Sequence, residues 1–181
     1  AIYSGSQKCL SAMPGLSPIS FSERAIEKLT NRKTPVTSWF LDLNLVMGYW
    51  GKGAKRAYHH TAPVNTLYGL HESLVMLSEE GIENSWSRHQ QNHILLRDGL
   101  NKLGIEYLVN ESSRLPQLNS VLIPQDQDDL GVRSSLLDNH NIDIGAGLGP
   151  LEGKIWRIGL MGHTSRKGNI ELLLSALKDT L

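Results

Sequence analysis

Ile155-Trp156-Arg157-Ile158-Gly159-Leu160 is the stretch on which the fold is read. Branched and aromatic residues run through it with one arginine among them, which is a strand pattern. Just upstream lie Gly145-Ala146-Gly147-Leu148-Gly149-Pro150 and Gly153; downstream, a helix is expected to begin near Thr164 or Ser165 and to bury Ile170, Leu173, Leu174 and Leu177. Working back, Ile142-Asp143-Ile144 alternates, Asp128 to about Asn139 reads as a helix, and Ser120-Val121-Leu122-Ile123 reads as a strand stopped by Pro124. Ile105 to Val109 is a further expected strand. Strands interleaved with helices argue for an α/β or α+β domain. A phosphate-binding glycine loop follows a strand and opens a helix, whereas Gly145 to Gly149 leads into a strand. It therefore reads as a tight connection that lets backbone approach a ligand or another element.

Further upstream the pattern is helical. Leu67, Leu70, Leu74 and Leu77 recur at three- and four-residue steps until Gly81; Ile82, Trp86, His89, His93, Leu96, Leu100 and Leu103 keep the same spacing until Gly104. The break near Gly81 is the expected domain boundary, giving domains 1–80 and 81–181. Before it, Ile19-Ser20-Phe21 reads as a short strand, Glu23 to Leu29 as a helix capped by Ser22, and Trp39 to Met47 mixes strand and helix signals with a lean to helix.

Composition bounds the chemistry. Lysine and arginine together number 18, as do aspartate and glutamate, so the formal charge is zero and nothing suggests binding to nucleic acid or an acidic membrane surface. The single cysteine, Cys9, rules out an internal disulfide framework and a Cys-rich metal site, suits a reducing compartment, and reads as a packing residue. No apolar run approaches the roughly 18 residues of a membrane span. The opening Ala1-Ile2-Tyr3-Ser4-Gly5 reads as a chain entered midway through a fold, with an upstream part expected elsewhere.

Three features stand out as candidate chemistry. Lys8, in Ser4-Gly5-Ser6-Gln7-Lys8-Cys9-Leu10, is either a surface charge or an amine whose surroundings make its neutral form accessible. Tyr58-His59-His60-Thr61 offers a loop with two hydroxyl donors; adjacent histidines diverge and no other ligand stands at metal spacing. Arg157 either faces solvent or turns inward, where its fork suits two parallel hydrogen bonds to a carboxylate. His89 and His93 form an i, i+4 pair without a third ligand and read as a semi-buried helix face.

At these residues the sequence resembles a known family. Ser6-Gln7-Lys8, Pro14-Gly15, Tyr58-His59-His60-Thr61, Glu79-Glu80-Gly81-Ile82-Glu83-Asn84, Gly147-Leu148-Gly149-Pro150 and Arg157-Ile158-Gly159 look like the alanine–glyoxylate aminotransferases. These are class V, fold-type I enzymes that use pyridoxal 5'-phosphate, and the resemblance runs in order along the whole chain. It implies the end of a large cofactor-binding domain followed by a smaller C-terminal α/β domain. It further implies Lys8 as the Schiff-base lysine, Gln7 beside the cofactor, Tyr58 and Thr61 as ligands of the cofactor phosphate of the opposite subunit in a homodimer, and Arg157 as the grip on the substrate α-carboxylate. The family's partner for the pyridine nitrogen and the ring-stacking aromatic belong to its N-terminal half, outside this sequence. The implied reaction moves an amino group from alanine or serine to glyoxylate. Transamination of 3-hydroxykynurenine, and a non-catalytic dimerisation module, are the alternatives. Lys178-Asp179-Thr180-Leu181 is not a Ser-Lys-Leu type of address, and the compartment stays open.

Overall fold

The computed structural model describes residues 1–50 and 57–181; residues 51–56 lie outside the described residues. The described chain divides into two compact units, one of residues 1–6 and 13–70, the other of residues 7–12 and 71–181.

In the first unit, β1 (Ile2–Tyr3) pairs antiparallel with β2 (Ile19–Ser20), with Ile2 opposite Ser20 and Tyr3 opposite Ile19. The pairing is extended by Ser4 N–H to the Pro18 carbonyl at 3.0 Å and Ser6 N–H to the Leu16 carbonyl at 3.3 Å. Ser6 is fully buried and its hydroxyl donates to the Met13 carbonyl at 2.7 Å, so the polar side chain is satisfied. Helix α1 (Glu23–Thr30) follows, with Ser22 at its N-cap but without the expected side-chain cap hydrogen bond. Helix α2 spans Leu43–Trp50. The helical lean over Trp39 to Met47 is therefore corrected at its start: Trp39 to Asp42 form a turn, whose Ser38 hydroxyl and Asp42 carboxylate accept from the N–H groups of Leu41 and Asn44.

Helix α3 (Val64–Glu80) ends at Gly81, whose φ of 81° also starts α4 (Ile82–Lys102), as the glycine-broken pattern predicts. The second unit then builds a three-stranded antiparallel sheet in the order β3 (Leu118–Leu122), β5 (Ile155–Gly159), β4 (Gly145–Ala146), with α5 (Asp129–His140) and α6 (Lys167–Thr180) completing it. Alternation along β5 puts Trp156 and Ile158 on one face, where they join Leu96 and Leu100 of α4, Leu136 of α5 and Ile170, Leu173 and Leu177 of α6 in one apolar core. Each such fully buried side chain stabilises the unit by about 1.5–3 kcal/mol. Trp156 has no exposed surface, and its indole N–H donates to Asp129 Oδ1 at 3.0 Å. Asp128 caps α5 by accepting from Gly131 N–H at 2.6 Å.

One expected strand is corrected. Ile105 to Val109 forms a single bridge rather than a strand: Tyr107 stands opposite Val121, Leu108 N–H donates to the Ser120 carbonyl at 3.0 Å and the Glu106 carbonyl accepts from Leu122 N–H at 2.7 Å, while the Val109 carbonyl accepts from Arg114 Nε at 2.8 Å. The alternating Ile142-Asp143-Ile144 precedes rather than forms β4. The last helix begins at Lys167, later than expected, because a 3-10 turn over Gly162–Thr164 occupies the expected start. Along it Ala176 is buried with Ile170, Leu173 and Leu177, and Leu174 is only partly so.

Candidate functional site

Lys8 lies in a turn closed by Ser11 N–H donating to the Lys8 carbonyl at 2.9 Å. Its side chain is exposed, as are Gln7 and Cys9, and among the described residues its amine has no ion pair or hydrogen bond. The expectation that Cys9 packs is thereby corrected: the thiol sits on an outward-facing turn position. Ser11 closes the turn at φ 56°. Its hydroxyl accepts from His163 N–H at 2.8 Å, so the lysine turn is fastened to the Gly162–Thr164 turn of the same unit.

Gly162 is needed there. With φ at 56°, an added Cβ would lie 2.1 Å from Ser11 Oγ and 2.5 Å from the Cys9 carbonyl oxygen. Helix α4 grips this turn from the other side. His89 donates through Nδ1 to the Ser85 carbonyl at 2.6 Å and accepts Gly162 N–H on Nε2 at 2.9 Å, which together fix its tautomer. Arg88 Nη1 donates to the carbonyls of Gly162 at 2.9 Å and Ser165 at 2.7 Å, and its other nitrogens bind both carboxylate oxygens of Glu80. That bidentate pairing holds the Glu80 carboxyl below its ordinary range and raises the Arg88 guanidinium above its own. Asn92 adds a hydrogen bond to the Ser165 carbonyl at 2.7 Å. His93 is also buried, with Nδ1 2.7 Å from Asn119 Oδ1. The semi-buried helix face read from His89 and His93 is thus a buried one.

Arg157 stands in the middle of β5, opposite Ser120 of β3 and Gly145 of β4. It is half-buried, Nε donates to the Ala146 carbonyl at 2.7 Å, and among the described residues neither terminal nitrogen meets a carboxylate or another acceptor. Gly145 leaves space beside the fork, since a Cβ there would lie 3.2 Å from Nη2. Gly147 carries the close backbone approach expected of the glycine run: a Cβ would lie 1.9 Å from the Leu151 carbonyl oxygen. Lys8 and Arg157 therefore share one compact unit.

Tyr58 and Thr61 belong to the other unit, both exposed, with their hydroxyls in direct contact with each other. The loop between them is held by His59, 8% exposed, which stacks on Trp39 at 4.0 Å between ring centroids and donates from Nε2 to the Trp39 carbonyl at 3.3 Å. His59 Nδ1 then accepts from His60 Nδ1 at 2.8 Å. The sequence reading missed Ser11, Arg88, Asn92 and Gly162. Only Arg88 left a signal, as a basic residue facing acidic Glu80 across the glycine break.

The model of the class-V aminotransferases matches residues 1–162. The chain belongs to this family. Alanine–glyoxylate aminotransferase of Callithrix jacchus is 43% identical over 99% of the chain and 44% of its own length. Among solved structures, an alanine–glyoxylate aminotransferase from Nostoc sp. superposes with a TM-score of 0.93 at 48% identity, over 98% of the chain and 47% of that one. The ureidoglycine–glyoxylate aminotransferase of Bacillus subtilis does so with 0.94 at 37% identity, over 99% and 46%. The chain thus spans about half the length of the class-V aminotransferases it matches. Its fold is the α/β fold of the fold-type I aminotransferases.

Proposed function

We propose that the chain supplies the lysine and the carboxylate-binding arginine of a pyridoxal 5'-phosphate-dependent aminotransferase that moves an amino group from alanine or serine to glyoxylate. The observation that carries this reading is Arg157: a half-buried guanidinium pinned by one nitrogen, its two terminal nitrogens free among the described residues, in the same unit as an unpaired lysine amine. The donor set suits the cofactor. Lys8 is an amine able to hold an aldehyde carbon, Tyr58 and Thr61 are hydroxyl donors suited to a phosphate, and Gln7 adjoins the lysine. Pyridoxal phosphate, when bound, supplies that aldehyde and a ring that accepts electron density from the substrate α-carbon.

The remaining work falls to the chain's own groups. Arg157 binds the substrate carboxylate in a fork that fixes the orientation of the α C–H bond. Lys8, once its amine is free, takes and returns the proton at the α-carbon. Tyr58 and Thr61 anchor the phosphate, contributed across a homodimer, and residues 1–80 and 81–181 act as the end of the large domain and as the small domain. The Callithrix and Nostoc relatives carry alanine and glyoxylate in their names and the Bacillus one ureidoglycine and glyoxylate, which favours glyoxylate as acceptor.

The test is borohydride reduction of the cofactor-loaded intact protein, peptide mapping, and assay with alanine and glyoxylate against 3-hydroxykynurenine and glyoxylate. Cofactor is expected on Lys8, Lys8→Ala to lower kcat by about a thousandfold, and Arg157→Lys to raise KM for alanine by about tenfold. Label on a different lysine would remove the Lys8 role; faster turnover with 3-hydroxykynurenine would replace the donor.

A further inference from the structure

We propose that Ser11 and His89 are positioning residues for the Lys8 amine, acting through the Gly162 turn; the inference rests on the reading of Lys8 as the cofactor's lysine. Ser11 holds φ at 56°, a left-handed conformation that is strained for a serine. A strained turn persists only where its surroundings over-determine it, and here they do so at three joints in series. The Ser11 hydroxyl receives His163 N–H at 2.8 Å, Gly162 N–H is received by His89 Nε2 at 2.9 Å, and His89 Nδ1 is tied to its own helix through the Ser85 carbonyl at 2.6 Å.

His89 is 3% exposed, and a buried imidazole with both nitrogens committed has one arrangement open to it. Its lone pair is aimed at the amide of Gly162, a residue that cannot carry a side chain because the Lys8 turn lies against it. The series therefore runs from the core-packed helix α4 to the peptide of Lys8, and its far end is an exposed amine with no other partner among the described residues. Loss of the Ser11 hydroxyl releases the turn from its anchor and spreads the amine over more directions. Substrate carboxylate binding, which belongs to Arg157, is left in place.

The test uses the intact protein with pyridoxal 5'-phosphate and compares Ser11→Ala, Ser11→Asn and His89→Leu. Ser11→Ala is expected to speed exchange of the His163 amide hydrogen by about tenfold and to slow borohydride-trapped fixation of the cofactor on Lys8 by about tenfold, the worth of one hydrogen bond. In turnover it lowers kcat while KM for the amino donor stays within about twofold. Ser11→Asn recovers all three readouts, since asparagine tolerates φ near 56° and carries an acceptor. His89→Leu speeds exchange at Gly162 and slows fixation in the same way; Ser11 lies on an exposed turn, so its pair of variants decides the matter on folded protein. Faster amide exchange with an unchanged fixation rate, unchanged exchange, or no recovery by Ser11→Asn each overturns the positioning role. Label on a lysine other than Lys8 instead overturns the reading beneath it.

Discussion

Among the described residues, the buried apolar side chains all lie between Leu96 and Leu177, in the second unit, while the first unit buries only Ser6 and His59 to a comparable degree. Ile2, Tyr3, Trp39, Phe40 and Leu41 of the first unit remain exposed. The second unit closes a core of its own. The first is held by a two-residue strand pair, a buried serine and a stack of tryptophan on histidine. The contrast bears on the candidate site, because residues 7–12 belong with the core-bearing unit although they stand near the front of the chain. Lys8 and Arg157 are thus backed by a packed core, and Tyr58 and Thr61 by a loop that leans on ring stacking.

The sharpest way to break this comparison is to remove one tryptophan from each unit. Trp156→Ala should cost about 3–5 kcal/mol in denaturant unfolding, and Trp39→Ala about 1 kcal/mol or less; equal losses would mean that the core does not distinguish the units. Glycines give the next test. Gly147→Ala drives a methyl to 1.9 Å from the Leu151 carbonyl oxygen and should cost about 2–3 kcal/mol. Gly48→Ala, in α2 with nothing within 4 Å among the described residues, should stabilise by about 0.5–1 kcal/mol, read from the melting temperatures of the two variants.

Titration separates the second unit further. Burial pushes the Tyr107 phenol up to about 12, so the folded state holds its proton more tightly than the unfolded chain. That stability is complete below about pH 10 and is lost as pH rises toward 12; Tyr107→Phe should flatten the alkaline limb of a stability–pH curve. At the other end, the hydrogen bonds from Arg133 hold the Asp129 carboxyl below its ordinary range. Its contribution, about 1 kcal/mol or less, is present above about pH 4 and lost as pH falls through the folded value, and Asp129→Asn should remove that slope. The smallest effect is expected on the surface. Lys167 and Glu171 approach to 3.5 Å with both side chains largely exposed, so Glu171→Gln should shift stability by under about 0.5 kcal/mol.

The long helices were legible because their apolar residues keep three- and four-residue steps and glycines stop them: α3, α4 and α5 fall within a residue or two of the expected bounds. Strands β3 and β5 were legible for the same kind of reason, an apolar run bounded by Pro124 or by glycine. What failed was decided away from the segment itself. Ile105 to Val109 has strand composition, yet Arg114 takes its last carbonyl. Ser22 sits where a cap belongs and makes none. At the site, residue types were readable, an arginine in an apolar strand and hydroxyls flanking two histidines. Their fastening was not: Ser11 and His163 meet across 152 positions, and no local spacing encodes such a pair.

One bond described above gives the molecule a built-in probe. The indole proton of Trp156 is shut from solvent and shared with Asp129, whereas Trp39 and Trp86 stand 58% and 60% exposed. In a proton NMR spectrum in heavy water the Trp156 indole resonance should outlast those two, fading only when the packed unit itself opens. Its lifetime is a clock for that opening, readable without any label.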